Sequence, residues 1–459
     1  MNRDELEAEK PKVSHFVVVV LGDVGRSPRM QYHALSLLQE GYIVSLVGYD
    51  GEDLIPDLQL TNESLHIIRF TTSSPTWLRK ISPVYALWRL ISLVFNIVHA
   101  LWIRVPSEPS VDCVLVQNPP AIPLLLVARL YCWYLAATTF KSPRLVIDWH
   151  NLGYSMFKEG TIRRIAQWYE KQMAPMADGH LCVTAAMKDF LNREMKVRNN
   201  SNVLYDCPPS MFRVLSTSEQ HAFLLRINQD LMAGCPRLWY DNLNLSKQTI
   251  FTEDVEGKIQ PRLNRPALVT SSTSWTEDED FNMLLEALTM LDNRLESEAS
   301  NLRVLVLITG KGPMKAIYEV KISKLILSHV AIKTMWLESA DYPKLLACAD
   351  VGISLHTSTS GLDLPMKVLD LFGCQTPVCA VGFECLSELV QDKVNGRVFQ
   401  TDDELFAQLY QLLIPLSGVA QPHSYGDLLT FSSELKGQKR WKENWKENAL
   451  PVLLQEDYM

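Results

Sequence analysis

The chain reads as an α/β protein of two similar domains, each built on a parallel sheet, and three observations predict this. Near-continuous runs of β-branched and other apolar residues recur along the sequence, as strands buried on both faces require. Helical stretches separate those runs, which is the rhythm of βαβ units. The rhythm breaks over a polar stretch at 211–265 and then resumes. At 459 residues the chain also exceeds what one core usually supports, so about two or three domains are expected.

In order, the first set of strands is FVVVVL (16–21), IVSLVG (43–48), CVLVQ (113–117), RLVID (144–148) and HLCVT (180–184). The stretch from Pro123 to Phe140 lies between two of these runs and has the length of a crossover helix. The polar stretch reads as a linker or insertion. The second set is ALVTS (267–271), RVLVLIT (303–309), KTMWL (333–337), VGISL (351–355) and PVCAV (377–381). Four segments result: an N-terminal domain 1–210, the variable linker 211–265, a C-terminal domain 266–430, and a C-terminal helical segment 431–459 expected to pack back on the first domain.

Composition removes several function classes. With 47% hydrophobic and 21% charged residues the chain is ordered and globular. A net charge of -8 argues against nucleic acid as a partner, because phosphate-backbone binding needs a basic face. Nine cysteines, an odd number without paired short spacings, describe no disulfide framework. Cys374, Cys379 and Cys385 lack the spacing of a zinc site and read as core thiols, so no metal site is expected.

The N-terminus MNRDELEAEKPK is charged and runs straight into the first strand, so no secretory signal peptide is expected. The segment from Pro83 to Val105 is long enough to cross a bilayer, although Arg89, Asn96 and His99 interrupt it. From Ser64 to Ser107 it is flanked by basic residues and no acidic ones, including Arg79, Lys80 and Arg104. Three readings are open: a helix lying in an anionic membrane surface, a true span, or a buried core helix.

Ligands of such sheets bind outside the carboxyl ends of the strands. After the first strand, Gly22, Asp23, Gly25, Arg26 and Arg29 form a glycine turn with cations before a helix, suited to an anion. After the fourth run, His150 follows Asp148, so a carboxylate can orient an imidazole for acid, base or hydroxyl-binding work. In the second half, Ser271 to Thr276 is hydroxyl-rich and precedes the acidic run Glu277 to Asp280. Thr276 with Glu279 fits a capping box better than a metal site, which leaves Ser272 and Ser274 to meet phosphate. Gly310, Lys311 and Gly312 make another glycine turn at a strand end. Asp363, Lys367 and Asp370 share the spacing of one helix face, preceded by Ser360 and Gly361. The dinucleotide fingerprint and the P-loop are absent, which leaves a phosphorylated sugar donor as the suitable ligand.

The ordered blocks LGDVGRSPRMQYHALSL, QNPP, VIDWHNLGYS, SSTSWTEDEDF, ITGKGP, WLESADYP and TSTSGLDLPMKVLDLFGC resemble the chitobiosyldiphosphodolichol β-mannosyltransferases of the dolichol pathway. The resemblance implies a GT-B glycosyltransferase of two facing Rossmann-like domains, the first for the acceptor and membrane, the second for GDP-mannose. It implies inverting transfer of mannose from GDP-mannose to dolichyl-diphosphate chitobiose at the cytosolic face of the endoplasmic reticulum membrane. It further implies ribose binding by Asp370 and mannose binding by Asp363, since the usual position of the first carboxylate falls on Leu362. The Arg-plus-Lys pair of many relatives is replaced by SSTSWT, so Lys367, or Lys311, is left to neutralise the diphosphate. His150 with Asp148 is the implied base, with Asp23 in reserve, and Gly22, Gly25 and Arg26 lie by the acceptor diphosphate. No tightly bound cofactor is expected, and a divalent cation such as Mg2+ only as a stimulant. Many relatives begin with a membrane-spanning anchor that this N-terminus lacks, so attachment falls to 83–105, the acceptor, or partner glycosyltransferases of the same pathway. A catalytically silent scaffold is the alternative, disfavoured by the presence of Asp370, Lys367 and His150.

Overall fold

The computed structural model describes residues 14–60, 63–71, 82–197, 200–358, 360–417 and 426–455. The chain divides into two compact units, Met1–Asp206 with Trp441–Met459, and Cys207–Arg440.

The first unit holds seven strands: β1 (His15–Asp23), β2 (Ile43–Tyr49), β3 (Leu65–Phe70), β4 (Val111–Asn118), β5 (Arg144–Trp149), β6 (Gly179–Cys182) and β7 (Ser201–Val203). All pair in parallel in the order β3-β2-β1-β4-β5-β6-β7. Phe16 to Val20 of β1 are buried on both faces, so the apolar run pairs Phe16 with Val44 on one side and Cys113 on the other. Each such Val or Phe contributes about 1.5–3 kcal/mol on burial. The helix Pro28–Gln39 covers one face with Met30, Ala34 and Leu37, a spacing of three or four residues. The same core is completed from the far end of the sequence. Helices Trp441–Asn448 and Leu450–Leu454 bring in Trp445, Ala449, Val452 and Leu453.

The second unit begins with a folded layer over the stretch read above as linker or insertion. Helices Thr217–Arg226 and Asn228–Met232 and the antiparallel hairpin β8 (Thr252–Val255) and β9 (Lys258–Pro261) occupy it. Phe223, Leu224, Leu231 and Ile250 pack there against Leu268, Leu305 and Leu307 of the main sheet. That sheet comprises β10 (Ala267–Ser272), β11 (Val304–Thr309), β12 (Val330–Met335), β13 (Val351–Ser354), β14 (Val378–Val381) and β15 (Gly396–Phe399), in the order β12-β11-β10-β13-β14-β15. β12 starts and ends earlier than the run KTMWL suggests. The buried Asp292 carboxylate accepts the N–H groups of Ser328, His329 and Val330 and sets the strand's entry there.

In both sheets the strand order reverses beside the first strand of the set, so the carboxyl ends around β1 and β4, and around β10 and β13, form switch-point crevices.

The apolar segment is a helix, Ser82–His99, continued by a π-helical turn Ala100–Arg104. Only 17% of Leu87–Arg104 is buried, although the segment has the length and apolarity to cross a membrane. The buried-core reading therefore fails. Its end is anchored by Trp102, which packs on Tyr131 and Tyr134 of the crossover helix Leu124–Thr139. Arg104 donates to the carbonyl of Arg69 on β3 at 2.6 Å. Arg79 and Lys80 lie outside the described residues.

Candidate functional site

At the carboxyl end of β5 a buried charge network holds one partly exposed imidazole. Asp148 is fully buried and accepts from Arg29 Nε at 2.8 Å and from the other arm of the same guanidinium at 2.9 Å. Its Oδ2 also accepts from His33 Nε2 at 3.1 Å and His150 Nε2 at 2.8 Å. Burial opposes ionisation of Asp148, yet the Arg29 charge and the imidazole hydrogen bonds hold its carboxyl well below the usual range. An ionised carboxylate only accepts, so His150 carries a proton on Nε2, and in the neutral tautomer this leaves, the lone pair lies on Nδ1. His150 is 24% exposed in its side chain, and its backbone N–H is fixed on the Asn118 carbonyl at 2.8 Å. A positioned, partly exposed imidazole is what general-base chemistry needs.

Arg29 and His33 are the functional residues that sequence reasoning misplaced or missed. Arg29 does not serve an anion cradle; it is buried between Asp148 and Asp206 and bonds the Leu204 carbonyl. Their i,i+4 spacing on the helix Pro28–Gln39 puts both on the face toward β5, which was the available signal. Trp445 donates to His33 Nδ1 at 2.9 Å, so the proton of His33 sits on Nε2, facing Asp148.

The turn Gly22 to Arg26 is braced by its own carboxylate. Asp23 Oδ1 accepts the Gly25 N–H at 2.9 Å, and Oδ2 accepts the Glu52 N–H at 3.0 Å. Asp23, the reserve candidate for the base, is thus engaged as a loop brace. A Cβ on Gly25 would lie 2.3 Å from the Glu52 carbonyl oxygen, so glycine is required there; Gly22 meets only ordinary contact. Arg26 is exposed and pairs with Glu52 at 2.5 Å.

Glu170 was not singled out by sequence. It lies buried under the loop that follows His150, and its carboxyl receives the N–H groups of Gly153 and Tyr154. A Cβ on Gly153 would fall 2.4 Å from Glu170 Oε1, so only glycine permits the approach. Burial pushes the Glu170 carboxyl up to about 8, against the pull of the two N–H bonds.

In the second unit the candidate groups gather at the ends of β10 and β11 and at the helix Met366–Gly373. Lys367 pairs with Glu279 at 2.8 Å and reaches Ser274 Oγ at 3.4 Å. Glu279 is not a capping residue, because the helix begins at Phe281 under the N-cap Asp280. Buried instead, it accepts from the Thr273 hydroxyl and from the Ser274 N–H at 3.0 Å. The Trp275 N–H goes to Thr273 Oγ1. Those two amides of the hydroxyl-rich turn are therefore engaged within the protein, which leaves its serine hydroxyls rather than its backbone to meet phosphate. Ser272 Oγ accepts from Tyr342 Oη at 2.9 Å.

Asp370 stands 3.5 Å from the same Tyr342 hydroxyl, and burial raises its carboxyl to about 7, against the Tyr342 bond and the Lys367 charge. Asp363 is not on the helix face with Lys367 and Asp370. The helix begins only at Met366, because Pro365 occupies its N-cap. In the preceding loop the Asp363 carboxylate accepts from the Ser358 and Ser360 hydroxyls, and Gly361 takes a positive φ of 76°. Gly310 and Gly312 have a packing reason: a Cβ on either would collide with the carbonyl oxygen of Thr273 or Ser274. Lys311 rests over the Trp336 ring, 3.8 Å from its centroid.

All nine cysteines are free thiols, and among the described residues no group of three His, Cys, Asp or Glu side chains could hold a metal ion.

The family described as glycosyl transferases group 1 matches residues 265–414. A chitobiosyldiphosphodolichol beta-mannosyltransferase of Mus musculus is 40% identical, covering 96% of this chain and 89% of its own length. The Homo sapiens protein of that name is 39% identical, covering 96% and 92%. A protein of Arabidopsis thaliana named UDP-glycosyltransferase TURAN is 40% identical, covering 95% and 97%. Among solved structures, HepE of Anabaena in complex with UDP superposes with a TM-score of 0.58 at 15% identity, covering 96% of this chain and 98% of that one. WaaG, a glycosyltransferase of lipopolysaccharide biosynthesis, gives 0.58 at 12%, covering 95% and 98%. These likenesses fix the fold as GT-B, and the identities across nearly the whole length fix the kinship. The chain belongs to the chitobiosyldiphosphodolichol beta-mannosyltransferase family of glycosyltransferases.

Proposed function

We propose that this enzyme transfers mannose from GDP-mannose to dolichyl-diphosphate chitobiose with inversion, at the cytosolic face of the endoplasmic reticulum membrane. The observation that carries the reading is the His150 imidazole, held through Nε2–H by an ionised Asp148, with no protein partner on Nδ1 among the described residues. In one displacement the O4 hydroxyl of the acceptor's terminal N-acetylglucosamine attacks the mannose anomeric carbon while the GDP oxygen departs. Nδ1 takes the hydroxyl proton, and the resulting imidazolium is stabilised by Asp148. Lys367 offers its charge to the departing diphosphate, with Glu279 fixing the ammonium's position. Asp370 binds the ribose hydroxyls. Asp363, supported by two serine hydroxyls, binds those of mannose. Lys311, parked on Trp336, is the alternative cation for that role.

The acceptor is a membrane lipid, and the exposed apolar helix Ser82–His99 with its continuation to Arg104 supplies membrane attachment. The purified protein is tested with GDP-mannose and with UDP-sugars on a short-chain, detergent-soluble diphosphate-linked chitobiose. Transfer from GDP-mannose alone supports the reading. Transfer from a UDP-sugar instead would assign the donor class in the name of the Arabidopsis relative.

A further inference from the structure

A second exposed apolar surface lies beside the loop that carries His150. The loop exposes Met156 and Phe157, and the following helix Thr161–Met173 exposes Ile162, Ile165 and Trp168. Those three positions recur every third residue and form one stripe. The other side of the same helix is functional: Glu170 holds the N–H groups of Gly153 and Tyr154, between His150 and Met156. One short helix thus bonds the catalytic loop on one face and leaves tryptophan and isoleucine uncovered on the other.

The surface continues toward the apolar helix described above. Tyr169 receives the Leu126 N–H at 3.0 Å and contacts the Pro123 carbonyl, tying this helix to the crossover helix Leu124–Thr139. That helix exposes Leu126, Leu130 and Trp133 and packs through Tyr131 on Trp102. Three successive helices of the first unit therefore expose large apolar side chains, and clustered exposed apolar groups mark protein or membrane contact sites. Lys158, Arg163 and Arg164 border the stripe together with one acid, Glu159, which leaves the border net basic in a chain whose net charge is -8. Basic residues around a Trp-bearing apolar stripe suit a negatively charged lipid surface.

We propose that the helix Thr161–Met173, with Met156 and Phe157, is a second membrane-contact element that seats the His150 loop on the lipid surface supplying the acceptor. The inference rests on the mannosyltransferase reading for the acceptor's identity, but its binding arm does not. Glu170 couples the two faces: a helix seated in the headgroup layer holds the loop's backbone at a fixed depth, so the acceptor is met without leaving the membrane.

The test replaces Ile162, Ile165 and Trp168 together with glutamate in the full chain. Binding is measured to phosphatidylcholine vesicles with and without phosphatidylserine. Activity is measured on chitobiosyl-diphosphodolichol in vesicles and on the short detergent-soluble analogue. The expected result is vesicle affinity lowered roughly 100-fold, KM for the vesicle acceptor raised at least about tenfold, and unchanged kinetics on the soluble analogue. Arg163→Glu with Arg164→Glu should lose the preference for phosphatidylserine vesicles only. Unaltered vesicle binding and vesicle KM in the triple variant would overturn the proposal. So would a wild-type dimer that the triple variant dissociates, since the face would then be a protein interface. If the triple variant loses activity on both acceptors, Trp168→Ala decides, with a raised vesicle KM supporting the proposal and an unchanged one overturning it. Absence of mannose transfer by the wild type to either acceptor would instead sink the mannosyltransferase reading and leave the vesicle result standing.

Discussion

At the residue scale, the two partners of the proposed base should fail differently. His150→Ala removes an imidazole that is partly exposed and whose loss leaves Asp148 still paired with Arg29. Turnover should fall about 10²–10⁴-fold with the thermal midpoint nearly unchanged. Asp148→Asn leaves the buried Arg29 with Asp206 alone as its counter-charge, a change that costs up to about 3 kcal/mol, so stability and activity should fall together. Calorimetry alongside steady-state kinetics separates the two; equal destabilisation by both variants would contradict this division. Lys367→Ala should cut turnover roughly 100-fold or more while leaving acceptor KM near its wild-type value. Near-normal turnover would pass the role to Lys311. Burial raises the Asp370 carboxyl to about 7, so it is protonated below that pH and ionised above it. If the carboxylate accepts both ribose hydroxyls, GDP should bind more tightly as pH rises from about 6 to 8, and Asp370→Asn should flatten that dependence. A pH-dependence surviving in Asp370→Asn would assign it elsewhere. Asp148 and His150 were legible because both lie within one short word at a strand end. Glu279 was not, since Thr276-x-x-Glu279 fits a cap as well as a lysine partner, and only the start of the helix at Phe281 decides. Tyr342 reaches its site across a long sequence separation that no local pattern reveals, whereas His33 was marked only by its i,i+4 spacing from Arg29.

At the element scale, the helix Thr161–Met173 makes a prediction through Glu170, whose folded-state carboxyl lies near 8 against an ordinary value of 4.5. Below the ordinary value both states are protonated and the group is neutral to stability. As pH rises from about 4.5 to about 8 the unfolded chain ionises first, so this group lowers stability, by about 1.4 kcal/mol per pH unit. Above about 8 the effect is constant. Glu170→Gln keeps an acceptor for the Gly153 N–H and cannot ionise. Its stability relative to wild type should therefore climb across that window, measured by chemical denaturation at a series of pH values. A constant difference from pH 5 to 8 would show that Glu170 is ionised in the folded state. The central strands β1, β4, β5, β10 and β11 were legible because both of their faces are buried, which makes their runs continuous. The edge strands β3, β7 and β15 have partly exposed residues and short runs, which gives them no such signature. The helix Met366–Gly373 was recognisable, but its start was not. Asp363 was placed on it by spacing alone, and the Pro365 N-cap leaves that residue in the loop.

At the scale of the whole molecule, two βα rhythms separated by a polar stretch announced two sheets. The polar stretch itself was harder to read, because its apolar residues Phe223, Leu224, Leu231 and Ile250 are too widely spaced to mark a strand, yet they close one face of the second sheet. The return of Trp441–Leu454 to the first unit rests on Trp445, Val452 and Leu453, which complete a core more than 400 residues away in sequence, as in the Trp445–His33 bond. The central claim is inverting mannose transfer, and the anomeric configuration of the product tests it most directly. The purified chain is given GDP-mannose, whose mannose is α-linked, and the short soluble chitobiose acceptor. The product is then digested with an α- or a β-mannosidase. One displacement predicts a single added mannose released by the β-mannosidase and resistant to the α-enzyme, with the yield collapsing in His150→Ala. An α-linked product, or none from a folded chain at saturating donor, would contradict the account.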